Sequence, residues 1–269
     1  MIGSVLKALE IMELFSSDHP TLSLNEISQL LGYPKTTIYT ILNTLESKGY
    51  VERGKGGVYS LGTAIITMTQ AVRVNVELRD RAAPLLRELG DFCNETVYLT
   101  VLDGYHCLYI YAIESSSRLM ARTTVGMKLP MYCSAVGKAI LAFLPKPKVH
   151  EILEHTGMKA ITPHTIVSEE KLFKELEKIK KIGLAVDNQE AKMNMFCLGS
   201  PIFDEKGNVF ASCSISTRDP YILNEKFQEY SSGILYTAQE ISRRMGFIPK
   251  AETLFWHGME NPLRIKLAN

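Results

Sequence analysis

The side chains with the clearest chemical pattern lie between residues 35 and 48. Thr36, Thr40, Asn43 and Ser47 recur at three- and four-residue spacing, so on a helix they share one side, with Lys35 and Tyr39 near its start. The face is short, polar and nearly uncharged apart from Lys35. A merely solvated helix seldom looks like this. Hydrogen-bonding groups on the N-terminal half of a helix are what readout of base edges in the DNA major groove requires. Further along, Arg53 and Lys55 stand beside Gly54, Gly56 and Gly57. They put positive charge on a flexible tip that can reach backbone phosphates or the minor groove.

Groups for catalysis are harder to find. The chain has no G-x-G-x-x-G and no G-x-S-x-G pattern. Gly137-Lys138-Ala139 is like the end of a phosphate-binding loop, but Tyr132 occupies the required first-glycine position and Ala139 replaces Ser or Thr. His150 and His155 flank Glu151 in an almost-metalloprotease spacing. The second His is one residue late, so the two imidazoles point about 140° apart on a helix of 3.6 residues per turn. Cys133 and Tyr132 with His106 would make a thiol site only if the fold assembled them. The reading is therefore of a non-enzyme without a cofactor or bound metal. A metal- or thiol-redox-responsive regulator remains as an alternative, because five cysteines and six histidines are present without any local ligand pair.

The elements that must position the polar face are legible in the pattern. A first helix carries Val5, Ala8, Leu9, Met12 and Phe15 on one face, while Leu6, Ile11 and Leu14 fall off it. It is thus apolar over more than one stripe, which suggests a second partner surface. A second helix opens at Ser23-Leu24-Asn25-Glu26, a capping box, and buries Ile27, Leu30 and Leu31. Gly32-Tyr33-Pro34 makes the turn into the third helix, whose apolar set is Ile38, Ile41, Leu42 and Leu45. Two short strands, at 50–53 and 58–61, complete a winged helix-turn-helix. Across residues 1–77 the basic side chains do not exceed the acidic ones, so the same unit could serve as a protein-interaction module.

Bulk properties limit the class. At 269 residues, 46% hydrophobic and 22% charged, the chain is long enough for two globular domains and needs no staple to hold a core. Net charge is +1, so DNA binding has to come from charge placed locally. Cys93, Cys107, Cys133, Cys197 and Cys213 are odd in number and form no C-x-x-C pair, as expected for free thiols in a reducing cytoplasm. The start of the chain lacks the charge and hydropathy pattern of a secretory signal, and no apolar run approaches membrane-spanning length. A cytoplasmic protein without membrane association is expected.

Over nearly its whole length, to about Gly246, the sequence resembles the IclR family of bacterial transcription regulators. The resemblance rests on VLKAL at 5–9, SLNEISQLL at 23–31, GYPKTT at 32–37, LESKGYV at 45–51 and YSLG at 59–62. It rests further on GMKLPMYCSAVGKAILA at 126–142, GLAVDNQE at 183–190, PIFD at 201–204 and Gly207. Blocks in this order and spacing are specific. The resemblance implies an α+β architecture with a winged helix-turn-helix DNA-binding domain at 1–62, a linker helix at 63–77, a GAF-like effector-binding domain with a mainly antiparallel sheet at 78–246, and a tail at 247–269. It adds Thr37 to the DNA-contacting set of Lys35, Thr36, Tyr39, Thr40, Asn43, Arg53 and Lys55. It also implies a homodimer or dimer of dimers on double-stranded operator DNA, with the first helix and the linker helix pairing between subunits.

In the sensor domain the resemblance implies a small-molecule effector, commonly a carboxylic acid, held by Ala135, Val136, Asp187, Cys197, Ser214 and Ser216, with Leu119 and Ala121 as an apolar side. The chemistry fits. Amides around Ser134–Val136 favour a carboxylate, and Ser214 and Ser216 share one strand face. The same serines could instead bond locally, and Cys197 and Cys213 could be small buried hydrophobes. This chain departs from the family at Gln189, which replaces one of a glutamate pair, and at Lys192, Met193, Asn194, Met195 and Phe196, where small or acidic residues are usual. A bulkier or differently charged wall is implied. Strands are expected at 96–102, 107–113 (central in the sheet), 118–125, 194–203 and 209–217. Helices are expected at 78–94, 134–144, 147–156, 168–182 and 224–245.

Overall fold

The computed structural model describes residues 1–16, 19–69, 71–72, 75–114, 125–248, 255–256 and 261–263. It divides into two compact units, residues 1–76 and 77–269.

In the first unit, α1 (Gly3–Glu13), α2 (Leu24–Leu31) and α3 (Lys35–Ser47) pack over a small antiparallel sheet of β1 (Leu22–Ser23), β2 (Val51–Arg53) and β3 (Val58–Leu61), in the order β1-β3-β2. The capping box forms as read: Ser23 Oγ accepts from the Glu26 amide at 3.3 Å, and Glu26 Oε2 accepts from the Ser23 amide at 2.7 Å. Gly32 closes α2 at φ 71°, a value that a residue with a Cβ adopts only at a cost. The core is Ile11, Phe15, Leu22, Ile27, Ile38, Leu42, Val51 and Tyr59. Each such side chain contributes about 1.5–3 kcal/mol on burial.

Three expectations change here. On α1 the inward stripe is Ile11 and Phe15, with Leu14 partly buried, whereas Val5 and Leu9 are exposed together with Leu6. On α2, Leu30 is exposed. Where a linker helix is expected over 63–77, the described residues hold a shorter helix, α4 (Ala64–Thr69). Of the apolar residues in that segment, Ile66, Met68 and Val72 are exposed, Ile65 is partly buried, and the Val76 side chain lies outside the described residues. A single π turn at Asn75–Arg79 precedes the next helix.

The second unit is built on one antiparallel sheet. Its strands are β4 (Thr96–Asp103), β5 (His106–Ile113), β6 (Lys128–Pro130), β7 (Ala185–Asn188), β8 (Phe196–Phe203) and β9 (Val209–Thr217), in the order β6-β5-β4-β9-β8-β7. The helices are α5 (Asp80–Cys93), α6 (Ala135–Leu141), α7 (Lys146–Thr156), α8 (Glu169–Ile182) and α9 (Phe227–Arg244). α5 and α9 cover the face that carries Val97, where Gly233 of α9 lies against Leu89 and Phe92 of α5. α6 covers the other face, where Ser212 Oγ donates to Val136 O at 3.0 Å. β5 is not central: its outer neighbour is only the three-residue β6, and along it only Cys107 and Tyr109 are fully buried. Neither β6 nor β7 was among the expected strands, and the strand expected at 118–125 falls largely outside the described residues. In the tail, Phe247, Trp256 and Leu263 are buried, and Trp256 packs edge-on against Phe203.

Candidate effector pocket and DNA-reading face

In the first unit, burial of Ile38 and Leu42 fixes the rotation of α3 and turns its polar side outward. Lys35, Thr36, Tyr39, Thr40 and Asn43 are exposed there, while Thr37 is partly buried. The Thr40 hydroxyl donates to Thr36 O at 2.9 Å, leaving its lone pairs to face outward as acceptors. The turn before α3 is pinned to α1: Tyr33 Oη donates to Glu10 Oε2 at 2.7 Å, and Lys7 Nζ sits 4.9 Å from the Tyr33 ring centre. On the hairpin, Arg53 is steadied over the Tyr59 ring at 5.8 Å and Lys55 is exposed at the tip.

In the second unit, the strand register assembles the site. On the face under α6, Ser214 lies between Tyr98 and Gly199, and the next row is Ser216, Cys197 and Asp187. Two glycines allow the approach of α6. A Cβ on Gly137 would lie 2.2 Å from Met131 O, and one on Gly199 would lie 2.8 Å from the Ala135 carbonyl carbon. Ser134 caps α6, its Oγ accepting from the Gly137 amide at 3.2 Å and its carbonyl from the Lys138 amide at 2.9 Å. These bonds do not use the Ala135 and Val136 amides, and the first amides of a helix have no partner within it.

Between these elements lies a cavity of about 350 Å³. Ala135, Val136, Asp187, Cys197, Ser214 and Ser216 all line it. Leu119 and Ala121 lie outside the described residues. The sequence reading did not single out Tyr98, Tyr109, Met127, Leu129, Ala191 or Arg218, which also line the cavity. The Tyr98 and Tyr109 rings meet edge to face at 5.2 Å. Lys192 and Met195 of the divergent wall line it as well. Gln189 does not. It has φ 64°, and its side-chain oxygen accepts from the Asn194 amide at 3.1 Å, so it closes the turn between β7 and β8.

Electrostatically the inner wall is unusual. Asp187 is 1% exposed, and burial raises its carboxyl from 3.8 to about 7 against the opposing bonds from the Glu190 and Ala191 amides. The Glu190 amide donates to Asp187 Oδ1 at 2.6 Å. The Glu190 side chain in turn forms a buried ion pair with Lys138 of α6, Nζ to Oε1 2.5 Å, while Glu190 Oε2 is buried without a partner. Thr162 and Thr165 both donate to Glu190 O, at 3.3 and 2.7 Å. Ser216 Oγ donates to Cys197 Sγ at 3.1 Å. Burial pushes the Cys197, Cys107 and Cys213 thiols up, and the Cys133 thiol up to about 12. Among the described residues, no three His, Cys, Asp or Glu side chains converge as a metal donor set. His150 and His155 are both exposed; one pairs with Glu169 and the other stacks on Tyr105. No helix among the described residues is long and apolar enough to cross a membrane.

An exposed polar helix beside a basic hairpin, carried with a cavity-bearing sheet unit, defines the class of winged helix-turn-helix transcription regulators. The profile of the IclR helix-turn-helix domain matches residues 4–55, and that of the bacterial transcriptional regulator IclR C-terminal region matches residues 70–243. The HTH-type transcriptional regulator KdgR of Escherichia coli (strain K12) is 32% identical over 247 residues, covering 91% of this chain and 94% of the relative. The crystal structure of the Thermotoga maritima IclR is 35% identical with a TM-score of 0.75, covering 92% of this chain and 100% of that one. An IclR homolog from Microbacterium hydrocarbonoxydans, crystallised with 4-hydroxybenzoate, shares the fold at a TM-score of 0.82 and 19% identity, over 90% of this chain and 98% of that one. The chain belongs to the IclR family and is a DNA-binding transcriptional regulator.

Proposed function

We propose that a small organic acid held in the cavity of the second unit sets the affinity of this regulator for its operator. The observation that carries this reading is the convergence of Ser214, Ser216, Asp187 and the Ala135–Val136 edge of α6 on one cavity of about 350 Å³. That volume lies in the usual range for ligand sites, and a few convergent polar groups in a largely apolar wall are their mark. α6 has only seven residues, so the hydroxyls and local amides matter more than any helix dipole. The Microbacterium homolog of the same fold, crystallised with 4-hydroxybenzoate, supports an acid as the ligand. The buried, protonated thiols offer little to an oxidant, since the thiolate is the reactive form.

On the DNA side, Thr36, Tyr39, Thr40 and Asn43 are assigned to base edges, and Lys35, Arg53 and Lys55 to phosphates, with Thr37 supporting the helix start. A second copy of the chain, covering the exposed apolar residues of α1, would give a pseudo-palindromic operator. The test is a gel-shift titration on the DNA upstream of the protein's own gene, repeated with a panel of keto, hydroxy and aromatic acids. A salt-sensitive shift that one acid alters is expected. A specific shift that no acid alters would remove the effector reading.

A further inference from the structure

The cavity of about 350 Å³ has more room than a single carboxylate needs, and its polar groups are laid out in rows. The Ser214 row, beside Ala135, gives way to the Ser216 row, and one further two-residue step along the same strand face leads to Arg218, just past the end of β9. Arg218 lines the cavity. So does Lys192, from the turn between β7 and β8, which meets the sheet at that same end. Among the described residues these are the only cations lining the cavity, both are exposed, and neither has an ion-pair partner. Among the described residues Asp187 is the only acid lining it. An unpaired guanidinium and ammonium aimed at one mouth are suited to an anion, the guanidinium to a carboxylate in two-point contact.

We propose that the effector is a dianionic organic acid of about six-carbon length, with one carboxylate among the Ser214 and Ser216 hydroxyls and the other held by Arg218 and Lys192. This rests on the reading of the cavity as an acid site. The span is set from the Ser216 edge of the serine pair: Ser216 to Arg218 is one two-residue step of ~6.6 Å, and an extended six-carbon diacid sets its carboxyl carbons roughly 6 Å apart. A three-carbon keto acid reaches only one end. Tyr98, opposite Ser214, and Tyr109, one row further from Arg218, line the serine end of the cavity and supply ring surface there. With burial raising Asp187 to about 7, that carboxyl is partly protonated near neutral pH and adds little repulsion to a second negative charge.

Calorimetry on the full chain decides this, with adipate against hexanoate and galactarate against galactonate as pairs matched in length. At least one diacid is expected to bind about tenfold more tightly than its monoacid partner. In Arg218→Gln with Lys192→Gln that preference falls to near unity, while monoacid affinity changes little. If a monoacid binds as well as its diacid, or if the diacid preference survives both substitutions, the second anion site is wrong although the acid pocket stands. If no acid of either kind binds, the acid-site reading falls, and this inference with it.

Discussion

Asp187 shows how much a single buried group can influence. Its carboxyl rises from 3.8 to about 7 because it is removed from water, so the folded chain holds a proton that the unfolded chain releases. The sign follows from linkage. Below about 4 both states are protonated and the contribution is complete; as pH rises through about 7 it is progressively lost. The groups that act on this carboxyl are the Glu190 and Ala191 amides, the Glu190 carboxylate and the Lys138 ammonium. Glu190 is itself raised by burial, so it tilts stability the same way. Asp187→Asn should therefore gain stability relative to the parent as pH rises from about 4 to about 7, read as a shift in urea midpoint. An unchanged difference across that range would mean that Asp187 is ionised throughout. On the DNA face, Thr40→Ala or Asn43→Ala should relax operator preference by about 1–3 kcal/mol at the affected base pair, whereas Lys55→Ala should weaken all DNA evenly and lower the salt slope. Competition binding against single-base operator variants separates the two outcomes.

At the scale of elements, the Lys138–Glu190 pair joins α6 to the turn between β7 and β8, the two segments that flank the cavity. The side chains are 1% and 9% exposed, so screening by solvent does little to weaken the pair. Removing one partner leaves a buried charge. Lys138→Met is expected to cost about 3–5 kcal/mol, and Lys138→Met with Glu190→Leu to recover most of it. Urea unfolding of the two singles and the double closes the cycle, and additive losses would show that the pair is not coupled. Some of this level was legible in the sequence. The Ser23–Glu26 box, Gly32 and the Ile38–Leu42 stripe are local signals, set by neighbours three or four residues away, and they placed α2 and α3. The neighbours of Ser214 were not legible, because Tyr98 lies more than a hundred residues earlier and reaches it only through sheet pairing. Tyr109 and Leu129 join the cavity for the same reason, whereas Arg218 follows Ser214 and Ser216 along one strand face. Gln189 looked like part of a changed wall, yet its left-handed backbone and its bond to Asn194 make it a turn residue. On α1, two apolar stripes of similar strength left the choice of inward face to tertiary packing.

That choice has a consequence for the whole molecule. Because α1 packs inward through Ile11 and Phe15, it leaves Ile2, Val5, Leu6 and Leu9 exposed, at 72%, 53%, 39% and 51%. Such side chains on a single helix mark a surface that something covers. The second copy of this chain proposed above would account for them and would also place two copies of α3 on successive turns of a duplex. Val5→Asp with Leu9→Asp should shift the chain toward monomer in sedimentation while leaving its helical content intact, since neither residue belongs to the core. Operator affinity should then fall by about two orders of magnitude or more, because two linked half-sites bind with an effective concentration that a lone half-site lacks. Acid binding should persist unchanged, since every described residue that lines the cavity lies within residues 77–269. A variant that stays dimeric and binds its operator normally would place the subunit contact elsewhere. One that loses acid binding as well would mean that the cavity depends on the partner, and the two functions would then be inseparable at the level of a single chain.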